Sequence, residues 1–433
     1  MMIDYKSRRV ALANQLPPNT IAVIPGAIEQ IRNGDAHYQF CQDSDFFYLT
    51  GYEEPEALLC ITSGQDTQSI LFNRPRVAAE EQWTGARLGQ EGAVSELQMD
   101  AAFPINALAS KLSALFAERA TIYYPVGRYL VYEKMVFDAW QAVKNKVRQG
   151  VQAPQAFADI APILGEMRLI KNEAELWYMR EAARISVLAH QRAMRACRFL
   201  KLEYELEAEF LYEIVRQGCR ATAYDSIVAG GANACTLHYT ENNQPLVSGQ
   251  LVLMDAGGEY HHYAADITRT YPINGRFSTE QRLIYELVLR AQQAGIARIK
   301  PGVPWNCIQQ AIVRVLVEGL VDLNILTGDV QALIEQEAYK PFYMHSSGHW
   351  LGLDVHDTGL YKQEGVWRPL IAGMVLTVEP GLYISPNLDQ VDSRWHGIGV
   401  RIEDDIHVTA TGFENLTEAL PVAIDAVEDL LGG

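Results

Sequence analysis

The stretch MDAGGEYHHYAADITRT, Met254 to Thr270, holds two aspartates in costly places: Asp255 closes the apolar run LVLM, and Asp266 opens a returning segment. LVLMD reads as a strand, Gly257 and Gly258 as its turn, and YAADITRTY as the returning strand, so the aspartates fall near directly opposed positions. Opposed side chains in a hairpin have Cβ atoms about 5 Å apart, and like charges there repel. A divalent cation between them removes the repulsion. Arg269 does not, because strand alternation turns it away from Asp266. Two further carboxylates repeat the pattern, Glu379 in TVEPG and Glu403 in RIEDDI. Each stands in an otherwise apolar, strand-like run, where a charge is expensive unless paired or metal-bound. Together the four supply the negative charge that two divalent ions balance.

Histidines complete the set. His261 and His262 are the obvious metal binders of the first stretch, but they fall near the hairpin tip. Neighbours on an extended chain point to opposite faces, so the two do not readily chelate one ion. MHSSGHWLGLDVHD carries His345, His349 and His356, and TLHYTEN carries His238. His345 and His349 have helical i, i+4 spacing, yet Gly348 and the missing glutamate of HExxH oppose a zinc-protease helix. They read as lying on a loop or strand that passes a shared site.

The elements that must position these residues fall into two domains, 1–165 and 166–433. In the first, the apolar runs IAVIPG, ALLCIT, SILFN and TIYYPV alternate with helical patterns such as INALASKLSALFAERA, which favours an α/β layer. The segment VRQGVQAPQAFADIAPIL breaks that rhythm. The second domain opens with a helix capped by Asn172 and Glu175, whose buried stripe runs Leu176, Met179, Ala183, Val187, His190, Met194. His190 on that stripe is expected to be a core imidazole. A second helix starts at Ser278, with Gln281 at the capping-box position, and runs toward the stop at Pro301 and Gly302. A third carries WNCIQQAIVRVLVEGL. From about residue 341 the chain changes to the short β segments VLTVEP, LYIS and VRIEDDIHVT. This predicts an α+β domain of helices packed on a curved antiparallel sheet.

Composition narrows the functions. A formal charge of −17 over 433 residues opposes duplex nucleic-acid binding, which relies on basic surfaces. No apolar run reaches the roughly 18 residues of a membrane span, and MMIDYKSRRV does not lead into a signal-peptide core, so a cytoplasmic protein is expected. The six cysteines, Cys41, Cys60, Cys197, Cys219, Cys235 and Cys307, are scattered with no CxxC pair, as expected of reduced thiols.

Asp255 and Asp266 in DAGGEYHHYAADITRT, His349 in HSSGHWLGLDVHD, Glu379 in VEPG and Glu403 in RIEDD resemble, in residue type, order and spacing, the dinuclear metal site of the pita-bread metallopeptidases. That family includes methionine aminopeptidase, prolidase and aminopeptidase P. HYQFCQDSDFFYLTGYEEPEALLCI and EEQWTGARLGQEGA resemble the amino-terminal domain of the aminopeptidase P branch. The resemblance implies an exopeptidase that releases the first residue of peptides with proline second, by attack of a hydroxide bridging two metals. Asp266 and Glu403 would bridge, Asp255 would chelate one ion, and His349 with Glu379 would hold the other. It points to two Mn²⁺, other divalent ions being admissible, and an oxygen-dominated donor set agrees. It assigns His238 and His356 to hydrogen bonding with the reacting groups and Glu379 to proton transfer. His345, Tyr383 and Arg401 line the leaving-group side, and Trp83 lines a substrate pocket in its own or a neighbouring subunit. Tyr224 and Thr268 would donate to the ligating carboxylates from behind. A homo-oligomer, dimer or tetramer, is also implied, with peptides as partners and neither nucleic acid nor membrane.

Two alternatives stand beside this reading. A prolidase confined to Xaa-Pro dipeptides uses the same chemistry and differs only in whether its channel admits a longer chain. A non-catalytic binding protein on the same fold would have lost the metal ligands, whereas all five are here.

Overall fold

The computed structural model describes residues 3–432. The chain divides into two compact units, one ending at Arg168 and the other beginning at Leu169.

In the first unit the four apolar runs are strands β1 (Thr20–Pro25), β2 (Leu58–Thr62), β3 (Ser69–Asn73) and, after β4 (Ala101–Pro104), β5 (Thr121–Tyr124). With β6 (Ala156–Asp159) they form one mixed sheet in the order β4-β3-β2-β1-β5-β6. β1 pairs antiparallel with β2, and β2 with β3, whereas β3/β4, β1/β5 and β5/β6 are parallel. Every residue of β1, β2 and β3 is buried, which is why they read as continuous apolar runs and not as alternating ones. Helices α1 (Leu108–Phe116) and α2 (Leu130–Lys144) pack Leu112, Phe116, Val136 and Val143 into a core with Ile21, Cys60 and Phe72. β6 corrects the reading of its segment as a break. It is a half-exposed edge strand, so it carries no apolar signature.

The second unit opens with α3 (Glu173–Ala196). The Asn172 side chain accepts from the N–H groups of Ala174 and Glu175, and Glu175 reaches back to the Asn172 N–H, the capping box the sequence announces. Its predicted stripe is buried, and His190 is a core imidazole with Nε2 hydrogen-bonded to the Ala256 carbonyl (2.8 Å). α4 (Glu203–Arg216) packs on α3. β7 (Ile227–Gly230), β8 (Leu251–Asp255), β9 (Gly258–Tyr260), β10 (Tyr263–Ala264) and β11 (Thr268–Pro272) follow. β7-β8-β11 form an antiparallel sheet.

Helices α5 (Thr279–Ile296) and α6 (Asn306–Asp322) come next, α5 ending before the expected Pro301 stop. Then come β12 (Val375–Val378), β13 (Gly381–Ile384), β14 (Ile398–Arg401), β15 (Asp404–Val408) and β16 (Phe413–Asn415), pairing antiparallel as β12-β15-β16 and β13-β14. VRIEDDIHVT is therefore two strands in two sheets and not one, with Ile402 and Glu403 at the crossover. Ile284, Leu287, Ile312 and Leu316 from the helices pack on Leu376, Val378, Leu382, Val400 and Ile406. Each such fully buried side chain contributes about 1.5–3 kcal/mol. This core makes the strand ends a firm base: Asp255 closes β8, Glu379 follows β12, Arg401 closes β14 and Glu403 precedes β15.

No helix among the described residues is long and apolar enough to cross a membrane. The six cysteines are free; Cys60, Cys197 and Cys219 are buried and Cys41 is exposed.

Candidate metal centre

The first hairpin differs from its sequence reading. In the β8/β11 ladder Asp255 pairs with Thr268, so Asp266 lies two positions before its expected place, on the same face. The turn is not at the glycines. It lies at His261 and His262, whose φ of +49° and +67° make the two-residue loop between paired Tyr260 and Tyr263. Gly257 is there because a Cβ on it would stand 1.7 Å from the Ala265 carbonyl oxygen. That close crossing sets Asp266 beside Asp255. The Tyr224 hydroxyl lies 2.6 Å from Asp255 Oδ1 and 2.5 Å from Asp266 Oδ1. One hydroxyl proton thus serves two carboxylates. Behind them, Asp405 Oδ2 accepts the Asp266 N–H (3.1 Å).

His349 arrives by a similar close approach, since a Cβ on Gly348 would lie 2.0 Å from the Thr377 carbonyl oxygen. The His349 N–H donates to Thr377 Oγ1 (3.1 Å), and Nδ1 meets the Trp350 carbonyl (3.0 Å). Nδ1 is then the protonated nitrogen of the neutral ring, which leaves Nε2 as a ligand atom. Nε2 lies 3.3 Å from Asp266 Oδ2 and 3.6 Å from Glu379 Oε1. Thr268 Oγ1 donates to Glu403 Oε2 (2.6 Å). Asp266, His349 and Glu403 each offer an atom within 4.8 Å of the others.

The charges do not balance from within the chain. Arg401, fully engaged, reaches Asp255 Oδ2 (2.5 Å), Thr268 Oγ1 (3.1 Å) and the Tyr383 hydroxyl (3.0 Å). Burial, opposed by His349 and reinforced by Asp266, lifts Glu379 to about 7. Burial and repulsion from Asp266, Glu379 and Asp255 hold Glu403 well above the usual carboxylate range. Burial raises Asp255 as well, against the pull of Arg401. It works to raise Asp266 too, but the contacts with His349 and Tyr224 prevail and hold that group low. Burial depresses His349, and the Asp266 hydrogen bond and charge outweigh it, so the imidazole stands at about 9. Four carboxylates facing one arginine and one imidazole are short of positive charge, and their oxygens with one free nitrogen are the donors of hard divalent ions. These residues fit a metal pair.

The centre lines a cavity of about 790 Å³. Of the residues singled out from sequence, Tyr224, His238, Asp255, Asp266, His345, His349, His356, Glu379, Arg401 and Glu403 form its wall. Thr268 and Tyr383 are buried side chains behind it; the Tyr383 hydroxyl meets His345 Nε2 (2.8 Å) as well as Arg401. Arg401 and Glu403, two positions apart in VRIEDDIHVT, both reach the site although Arg401 closes β14 and Glu403 lies outside it, before β15. Burial and the Arg401 charge push His345 down to about 4. His356 packs against His349 with ring centroids 4.2 Å apart, and burial and the His349 charge lower it. Trp83 is on the helix Ala78–Thr84 of the first unit and is 89% exposed. Sequence reasoning missed Trp305, Tyr361 and Trp367 in the wall, and Asp405 behind it. Alternation from Glu403 was the signal for Asp405. The aromatics carried none.

The chain matches metallopeptidase family M24 over residues 178–410 and the aminopeptidase P N-terminal domain over residues 5–123. It belongs to metallopeptidase family M24, as an enzyme with the two-part organisation of aminopeptidase P. It is 44% identical over 430 residues to a Xaa-Pro aminopeptidase of Escherichia coli, covering 99% of this chain and 97% of that one. A Xaa-Pro aminopeptidase of Haemophilus influenzae is 45% identical over 432 residues, with coverage of 99% and 97%. Among solved structures, the aminopeptidase PepP of Pseudomonas aeruginosa superposes with a TM-score of 0.98 at 47% identity, covering 100% of this chain and 98% of that one. A zinc-substituted E. coli aminopeptidase P in complex with product gives 0.96 at 43%, with coverage of 99% and 98%.

Proposed function

We propose that this metallopeptidase removes the first residue from peptides whose second residue is proline, with two divalent ions, manganese foremost, held by Asp255, Asp266, His349, Glu379 and Glu403. The observation that carries the reading is the convergence of Asp266, His349 and Glu403 ligand atoms within 4.8 Å, in a wall where carboxylate charge exceeds the positive charge beside it. Such ions, when bound, supply the Lewis acidity that brings the pKa of water into the working range and polarises a carbonyl. On the family resemblance, Asp266 and Glu403 would hold both ions, Asp255 one of them, and His349 with Glu379 the other.

The chain's own residues do the rest. Tyr224, Thr268 and Arg401 orient the Asp255, Asp266 and Glu403 carboxylates through the contacts given above, which preserves ligand geometry between turnovers. Glu379 is the group that accepts and returns a proton. His238 and His356, on the cavity wall, donate to the oxygen where charge develops and to the departing nitrogen. His345, neutral at working pH and braced by Tyr383, offers a flat uncharged surface. That suits proline, whose tertiary nitrogen has no N–H and whose ring fixes φ, so recognition falls to shape. Trp83 is assigned to substrate contact in its own or a neighbouring subunit. A cytoplasmic homo-oligomer completes the proposal, on the family resemblance and, for the compartment, the free cysteines.

Paired assays of Xaa-Pro and Xaa-Pro-Xaa substrates with added Mn²⁺ test it. Release of the first residue from the longer peptide is expected, and cleavage confined to the dipeptide would make the enzyme a prolidase.

A further inference from the structure

Glu203, the first residue of α4, is 0% exposed. Its Oε1 accepts from the Gly230 N–H (2.7 Å) and Asn233 Nδ2 (3.0 Å), and its Oε2 from the Tyr239 hydroxyl (2.8 Å) and the Gln244 N–H (2.8 Å). These donors are the last residue of β7 and three points along the connection from β7 to β8. Its own N–H donates to the Gln244 carbonyl (3.0 Å), and the Leu246 N–H donates to Lys201 (2.8 Å). Among the described residues no Lys, Arg or His forms an ion pair with it. A buried charge without a counter-ion is expensive. Here four donors and the positive end of α4 offset the cost. Only an ionised carboxylate presents four acceptor sites and no donor, so neither glutamine nor a protonated acid closes the same network.

The connection so tied carries Leu237, His238 and Thr240, which form one part of the cavity wall, and Tyr239 is the residue next to His238. We infer that Glu203 is a positioning residue of the reaction: it holds residues 231–244 in one conformation and thereby sets where His238 meets the substrate. The inference rests on the role given to His238 above.

A double-mutant cycle tests it. The first-residue release from an Xaa-Pro-Xaa peptide is measured, with Mn²⁺, for the wild type, Glu203→Gln, His238→Ala and the double variant. An amide placed among donors displaces the connection, and kcat/KM of Glu203→Gln should fall about 10- to 100-fold, the usual consequence of a small misplacement. In the His238→Ala background the same change should cost less than about 2-fold, because coupled residues are not additive. An equal cost in both backgrounds overturns the inference. If Glu203→Gln does not fold, Tyr239→Phe, which removes one of the four donors, replaces it in the same cycle with the same criterion. Hydrogen exchange read by mass spectrometry needs no substrate. Protection of 231–244 should be lost in the Glu203 or Tyr239 variant while 251–272 keeps its own, and unchanged protection of 231–244 overturns the inference. A wild type that releases nothing from proline peptides defeats the proposed function, and the exchange result still decides the role of Glu203.

Discussion

Asp255 accepts from two donors of different kinds, the Tyr224 hydroxyl, which it shares with Asp266, and the Arg401 guanidinium, which also serves Thr268 and Tyr383. Tyr224→Phe should weaken metal binding and lower turnover about 10- to 100-fold without unfolding the chain. Metal titration alongside kcat checks this, and wild-type affinity would remove Tyr224 from its orienting role. Protonation makes a second prediction. In the metal-free chain Glu379 rises from 4.5 to about 7, so between those values the folded state holds a proton that the unfolded state has released. Stability contributed by such a group is complete below about 4.5 and is lost as pH climbs through about 7. His349, raised from 6.5 to about 9, acts in the same direction at higher pH. His345 and His356, whose folded values are lowered, oppose this below their unfolded value of 6.5, so the Tm of chelated protein should fall from pH 6.5 to pH 8, and saturating Mn²⁺ should lessen the fall. A Tm that rises over that range without metal contradicts the charge balance described above.

Elements deliver these residues by close backbone approach, and that is where sequence reading went wrong. Paired glycines before a returning strand suggested a turn, but Gly257 is a crossing point and the histidine pair turns the chain. Gly348 does the same for His349. Alanine at 348 should displace His349 and lower kcat/KM by about 100-fold or more even with excess metal, and full activity would show that the Thr377 strand yields. Carboxylates in apolar runs, with the family resemblance, pointed to the candidate ligands but not to the junction at Ile402 and Glu403, because a strand-like run does not reveal where a chain changes sheets. Capping boxes at Asn172 and Ser278 were legible because they are local. The half-exposed β6 was not, because its place depends on a partner strand and leaves no apolar pattern. A surface tie between elements gives another check. The Arg180 hydrogen bond, opposed by burial and aided by His407, holds Glu414 of β16 at about 2, joining it to α3 and β15. A depressed carboxylate stabilises above its unfolded pKa of about 4.5 and loses that contribution as pH falls through about 2. Glu414→Gln should lower Tm at pH 6 and match the wild type near pH 2; an equal difference at both values would refute it.

Across the whole molecule, the site is assembled from β8, the approach to β11, the loop before β12, and the junctions after β12 and β14, so its residues are scattered over much of the second unit. Their residue types and order along the chain make the candidate metal centre legible in the sequence. The aromatic wall was not, because Trp305, Tyr361 and Trp367 lie before a helix, in a loop and in a hairpin, with no shared period to group them. What unites the scattered carboxylates is a shortage of positive charge that two divalent ions would supply. The most direct test titrates metal-stripped protein with Mn²⁺ while following first-residue release from an Xaa-Pro-Xaa peptide, with Asp266→Asn in parallel. The expected result is no release without metal, activity reaching its plateau at about two equivalents per chain, and a folded Asp266→Asn protein with turnover down about 100-fold or more. Release by the metal-free chain, or wild-type turnover in Asp266→Asn, would contradict it.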